Sequence, residues 1–162
     1  MNVLNIHTRI IQASKERMTE ALQTLGTKHD EVWPKENWPA MKFREGMKVG
    51  SKGGHGAVRY TIETYQPDEI IQFLFSSPKG FDGIHKLELK EISDQQTQIT
   101  HVIDMKTTGK ATLYWVFAIR SLHDALLEDA FDKLENKLTN TKKKSNWSFW
   151  VRSLRMLYKL KK

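Results

Sequence analysis

The chain of 162 residues contains no cysteine. That excludes disulfides, thiolate nucleophiles and Cys-based zinc or iron–sulfur centres, and it makes a reducing cytoplasm the expected compartment. Long apolar runs are also missing. Residues 1–12 are interrupted by Asn5, His7 and Arg9, so they do not read as a signal peptide. The C-terminal stretch is charged too often for a transmembrane helix of about 20 apolar residues. Several catalytic signatures are absent as well. There is no Gly-x-Ser-x-Gly elbow and no His-Glu-x-x-His pair, and residues 50–56 lack the Gly-Lys-Ser/Thr ending of a phosphate-binding loop. Acid is missing from residues 141–162, which carry eight basic side chains, whereas residues 1–140 carry 18 basic and 19 acidic ones. The net charge of +7 therefore belongs to the tail, and no nucleic-acid partner is expected.

What is present is mostly alternation. Leu4, Ile6 and Ile10 alternate with Asn5, His7 and Arg9, which marks a first strand and places His7, of the same parity as Arg9, outside or at most on the cavity margin. Ala13-Ser14 opens a helix carrying Met18, Ala21, Leu22 and Leu25 and ending near Gly26. Trp33-Pro34 and Trp38-Pro39 make residues 27–40 a helical turn and an aromatic loop, because a residue before proline avoids the helical region. Glycines at 46, 50, 53, 54 and 56 indicate a short strand or two around a turn. Four alternating runs follow, through Tyr60, through Phe73 and Phe75, through His85 and Leu87, and through Ile99, His101 and Ile103. After Gly109, a helix from about Ala111 to Leu138 places Val116, Ile119, Leu122, Leu126, Leu127, Ala130 and Leu134 on one face. Asp124, Glu128 and Asp132 fall on the other face.

This order predicts an α+β fold, with a curved antiparallel sheet of six or seven strands wrapped around a long C-terminal helix. One or two short helices follow the first strand. Residues 1–140 form the domain and residues 141–162 a basic amphipathic tail. A long helix across a concave sheet leaves a gap where a pocket forms.

Five local signatures go with this order: Ile11-Gln12-Ala13 closing the first strand, the Trp33-Pro34 and Trp38-Pro39 loop, Gly53-Gly54-His55-Gly56 before a strand, Phe81-Asp82-Gly83-Ile84-His85 opening another, and the run from His123 to Asp129 in the final helix. Together they resemble the SRPBCC superfamily, the helix-grip fold of START lipid-transfer domains, birch-pollen-allergen-like proteins and polyketide cyclase/dehydrase-like proteins. The resemblance spans residues 3–138. It implies a cavity for a small hydrophobic ligand and no fixed catalytic residues, in a family that includes carriers, hormone receptors, cyclases and hydrolases.

The residues add chemistry to that expectation. His85 shares parity with Leu87 and Leu89, His101 lies between Ile99 and Ile103, and His123 sits on the apolar arc of the long helix between Ile119 and Leu127. Three imidazoles are thus expected on one interior, with His101 opposite either His85 or Leu87. Trp38, Tyr60, Phe73 and Trp115 are the aromatic ligand contacts expected beside them, and Ile119 and Leu127 complete the wall. Buried histidines most often serve as hydrogen-bonded spacers. Asp104 and Glu88 lie on the wet parity, so no carboxylate is expected to orient a general base. A three-histidine metal site would need geometry that no spacing here guarantees, and neither metal nor cofactor is expected. The leading reading is a binding or transport protein for a lipid-like or polyketide-like molecule, monomeric or weakly dimeric. The rival is an enzyme of cyclase or dehydratase type using His85, His101 or His123 as acid and base.

The tail supplies a third reading. Trp147, Trp150, Val151, Leu154, Leu157 and Tyr158 follow helical spacing, with Arg152, Arg155, Lys159 and Lys162 on an adjacent arc and Phe149, Met156 and Leu160 on a further side. Trp147, Trp150, Arg152, Arg155 and Lys159 are the residues expected to meet an anionic membrane surface, making the protein peripheral there. Docking of the tail on the domain, or on a second copy, is the alternative.

Overall fold

The computed structural model describes residues 1–159. Strand β1 (Asn2–Ile11) leads through helix α1 (Lys15–Gln23) to two short strands, β2 (Lys42–Phe43) and β3 (Lys52–His55). Four long strands follow: β4 (Val58–Gln66), β5 (Ile70–Ser77), β6 (Phe81–Ser93) and β7 (Gln96–Thr107). They form one seven-stranded antiparallel sheet in the order β1-β7-β6-β5-β4-β3-β2, so that the first strand returns to pair with the last. Gly83 lies where β6 runs against β7, and a Cβ there would clash with the backbone carbonyl of Asp104. Glycine at such a point lets the sheet bend.

The long helix is interrupted. Helix α2 (Lys110–Tyr114) passes into a π-helical turn (Trp115–Ile119) and then into α3 (Arg120–Thr139). The extra residue of the π turn shifts the phase of the apolar stripe. Trp115 is buried, while Val116, expected on the inner face, is 47% exposed. The rod lies across the concave side of the sheet in a helix-grip arrangement, as the element order predicts.

Helix α1 begins at Ser14, whose Oγ accepts from the Arg17 backbone N–H at 3.4 Å. The loop after it contains no second helix. It is organised by the buried carboxylate of Asp30, which accepts from the backbone N–H groups of Gly26 at 2.7 Å, Val32 at 2.9 Å and Trp33 at 2.7 Å.

His7 and Arg9 are not on the outside of β1, and His7 takes the second of its two expected places, the margin of the interior. Asn5, His7 and Arg9 face the helix, while Leu4, Ile6 and Ile10 are exposed. The helix decides this. Its expected polar face, with Asp124, Glu128 and Asp132, is turned toward β1, and Asp132 and Glu135 are buried there. Arg9 donates to Asp132 at 2.5 Å, to Glu128 at 2.6 Å and to Glu135 at 3.3 Å. An ion-pair seam, rather than an apolar one, closes this edge of the grip.

Helix α4 (Phe149–Lys159) docks on the domain through buried Val151 and Leu154. Of the tail residues named above, Leu160, Lys162 and the side chain of Lys159 lie outside the described residues. Among the described residues, no helix is long and apolar enough to cross a membrane.

Candidate functional site

The interior holds two apolar clusters. The larger runs from Ile11, Met18 and Leu22 through Tyr60, Phe73 and Leu127, and the smaller contains Val3, Phe81, Ile103, Met105, Ala111 and Trp115. Three imidazoles bridge them. His85 stacks on Phe73 with ring centres 4.6 Å apart, and its ring lies 5.5 Å from His101, which lies 4.9 Å from His123. His123 in turn lies 6.3 Å from Trp115. Of the expected site residues, Tyr60, Phe73, His85, His101, His123 and Trp115 thus form one chain of rings across the grip. Leu127 packs in the larger cluster, and Ile119 packs against the smaller.

The register pairs Leu87 with His101 and His85 with Ile103, so the two strand histidines meet diagonally. His101 Nε2 and His85 Nδ1 are 3.4 Å apart. The outward nitrogens of this pair, His85 Nε2 and His101 Nδ1, are buried with no hydrogen-bond partner, as are the Tyr60 hydroxyl and His123 Nδ1. Burial drives His85 and His101 well below the usual imidazole pKa, with the neighbouring imidazoles adding to the effect, and raises the Tyr60 phenol. The site is therefore neutral at physiological pH. These side chains close on one another. Two shallow surface grooves lie elsewhere, one of about 320 Å³ beside Glu69, Glu88 and Gln98 and another of about 440 Å³ beside His29, Glu31 and Lys133.

Trp38 stands apart from the imidazoles. It is buried against Trp147, with ring centres 5.5 Å apart, and donates from Nε1 to Asp129 at 2.7 Å. Trp147 donates to the same carboxylate at 3.0 Å, and the Arg155 guanidinium caps both indoles, 4.3 Å and 4.4 Å from their centres. Trp150 and Arg152 remain on the outer side of α4, and Trp150 donates to the Phe117 carbonyl at 3.0 Å.

A second polar group lies at the margin of the same interior, where the sequence admitted His7 but gave no sign of its carboxylate partners. His7 bridges Asp124 through Nε2 at 3.0 Å and Glu128 through Nδ1 at 3.2 Å, and Asn5 donates to Asp124 at 3.0 Å. Hydrogen bonding to Asp124 raises the His7 pKa in spite of burial. Against the cost of burial, hydrogen bonds to His7 and Asn5 hold Asp124 well below the usual carboxylate range. Asp124 comes from the helix and not from the His-bearing strands, and the imidazole it hydrogen-bonds is His7, not His85, His101 or His123.

Acid sensitivity follows from the neutral imidazoles. Unfolded histidines take up protons below about pH 6.5, whereas His85 and His101 stay neutral in the fold. Their contribution to stability is complete above that pH and is lost as pH falls below it, by at most about 1.4 kcal/mol per pH unit for each group. His7, with its raised pKa, opposes this with stability present below about pH 6.5 and lost as pH rises through its folded value. The two deeply buried groups outweigh the one. Thermal unfolding between about pH 7 and about pH 5 is expected to show a falling Tm, and His85→Phe, which keeps the stack on Phe73, is expected to flatten the slope. An equal slope in the variant removes His85 from this account.

No protein-family model matches the chain, and no curated protein matches it. Solved structures match its fold. A protein from Nitrosospira multiformis is 17% identical over 85% of this chain and 97% of that one, with a TM-score of 0.62. CalU16 from Micromonospora echinospora is 15% identical over 97% of this chain and 91% of that one, with a TM-score of 0.59. Norcoclaurine synthase from Thalictrum flavum, in complex with dopamine and hydroxybenzaldehyde, is 9% identical over 89% of this chain and 90% of that one, with a TM-score of 0.66. At these identities the likeness is one of fold, the helix-grip architecture that the resemblance implies.

Proposed function

We propose that this protein binds a small, largely apolar molecule with one or two polar atoms between α3 and the inner face of β4–β7. The observation that carries the reading is the set of partnerless buried atoms, the Tyr60 hydroxyl, His85 Nε2 and His101 Nδ1. Each such group costs about 1–3 kcal/mol when left unsatisfied. A fold that keeps three of them among Phe73, Trp115 and Leu127 is suited to a guest that supplies the missing bonds. The same architecture holds dopamine and hydroxybenzaldehyde in norcoclaurine synthase. Admission requires the rings to part, and the π turn at Trp115–Ile119 is the place where the rod can bow, since helices kink at π-bulges and these are frequent at functional sites.

The test is native mass spectrometry of gently extracted full-length protein, followed by titration of the identified molecule into Tyr60→Phe and His101→Leu. A co-purified apolar molecule whose affinity falls about tenfold or more in either variant, equivalent to about 1.4 kcal/mol, supports the reading. Unchanged affinity in both variants overturns it. Conversion of the bound molecule would instead favour the acid–base reading of His85 and His101.

A second reading concerns the outer surface. Phe117 is 63% and Phe149 85% exposed, and the Trp150 bond to the Phe117 carbonyl joins the two helical segments that carry them. With Leu113 and Arg152 exposed alongside, this ridge has the aromatic and basic composition of a membrane-surface contact.

A further inference from the structure

The cluster on the β1 side of the helix supports a site that the ligand-binding reading does not use. His7 Nε2 lies 3.0 Å from Asp124 Oδ1, and His123 Nδ1 lies 3.7 Å from the same oxygen. One donor atom from each of the three residues falls within 4.8 Å of the others. In a tetrahedral site with metal–nitrogen bonds of about 2.0–2.1 Å, neighbouring ligand atoms stand roughly 3.3 Å apart. The two observed spacings bracket that value.

Two features separate this group from an ordinary ion pair. First, His123 Nδ1 is a buried imidazole nitrogen without any hydrogen-bond partner, and 3.7 Å is too far for it to bond to Asp124. Second, the other nitrogen of His7 is already held, because Nδ1 meets Glu128 at 3.2 Å. A carboxylate on the far nitrogen is the usual way a ligating histidine is oriented and its metal-facing nitrogen made more basic. Asn5 does the same for Asp124, donating to it at 3.0 Å.

We propose that His7, His123 and Asp124 bind one divalent transition-metal ion of the zinc or cobalt(II) class, with Glu128 and Asn5 as orienting partners. Two imidazoles and one carboxylate select these ions over magnesium or calcium, which take oxygen ligands. Three protein ligands leave a fourth position for water or a ligand oxygen. The site sits at the helix end of the imidazole chain, since the His123 ring is 4.9 Å from His101. It differs from the three-histidine arrangement considered from the sequence and stands whether or not an apolar molecule binds.

The experiment is titration of chelator-treated full-length protein with Co²⁺ and Zn²⁺, followed by visible absorption for cobalt and calorimetry for zinc. The expected result is one equivalent per chain and a low-coordinate cobalt spectrum. His123→Gln and the isosteric Asp124→Asn are expected to abolish both, Glu128→Gln to weaken zinc binding about 10–100-fold, and His29→Ala, in an exposed loop, to change nothing. Far-UV circular dichroism confirms that each variant is folded. Absence of stoichiometric binding by the parent protein means that a protonated His7 simply bridges two carboxylates, and this overturns the proposal. So does binding that survives in both His123→Gln and Asp124→Asn.

Discussion

Arg9→Met is expected to cost about 3–5 kcal/mol, the scale for removing one partner from a buried ion pair. Arg9 is the cation that β1 sends into the seam, and it reaches Asp132 at 2.5 Å, Glu128 at 2.6 Å and Glu135 at 3.3 Å. The side chains of Asp132 and Glu135 are only 10% and 8% exposed, so solvent screens them little. Methionine keeps a side chain of similar length but supplies neither the charge nor the guanidinium that lies over the Phe131 ring, 5.7 Å from its centre. Lys143 still meets Glu135 at 2.7 Å, and the Ser145 N–H still meets Asp132 at 2.5 Å. Even so, the carboxylates that faced Arg9 become under-compensated. For a domain of this size the loss corresponds to a fall in Tm of roughly 6–20 °C. Urea unfolding of parent and variant measures it directly, and a difference below about 1 kcal/mol shows the seam to be no stronger than an exposed ion pair. The gap is also expected to narrow below about pH 4. Asp132, whose pKa is lowered by Arg9 and Ser145 against the cost of burial, contributes stability above the ordinary carboxylate pKa and loses it as pH falls through its folded value.

Truncation after Asn140 is expected to destabilise the remaining chain by roughly 3–6 kcal/mol. Two buried aliphatic side chains, Val151 and Leu154, leave with α4, each worth about 1.5–3 kcal/mol. The cut also removes Trp147 and Arg155, uncovering Trp38 and leaving Asp129 with one indole donor in place of two. Chemical unfolding gives the magnitude, and a red shift of indole emission reports the uncovering of Trp38. A truncated chain as stable as the parent would show that α4 does not rest on the domain in solution. The outer ridge is tested separately in the full-length protein by Phe149→Ser, at a side chain that is 85% exposed. Vesicles containing anionic lipid are expected to float the parent and to retain the variant less, and equal flotation removes the membrane reading.

The alternation of Tyr60, Phe73, His85 and His101 with polar neighbours determined which faces of β4–β7 turn inward, because a strand gives its side chains only two directions. The same logic, with the apolar arc of the helix, set the sheet-and-rod architecture and placed three imidazoles in one interior. On β1 the rule pointed the wrong way. Leu4, Ile6 and Ile10 are exposed, and Asn5, His7 and Arg9 are turned inward, because what β1 meets is a row of carboxylates. A trace of this was legible. Two residues advance a strand by about 6.6 Å and four advance a helix by about 6 Å, so His7 and Arg9 match the steps of Asp124, Glu128 and Asp132. Periodicity alone could not say that the two rows face each other, since the pairing of β1 with β7 and the roll of the helix are set by contacts between segments far apart in the chain. Nor could it foresee the π turn, where one added residue rotates Val116 outward. The local chain fixed the elements and most of their buried sides. Only the assembled fold decided which polar side chains meet, because an ion pair depends on positions that two distant segments acquire together.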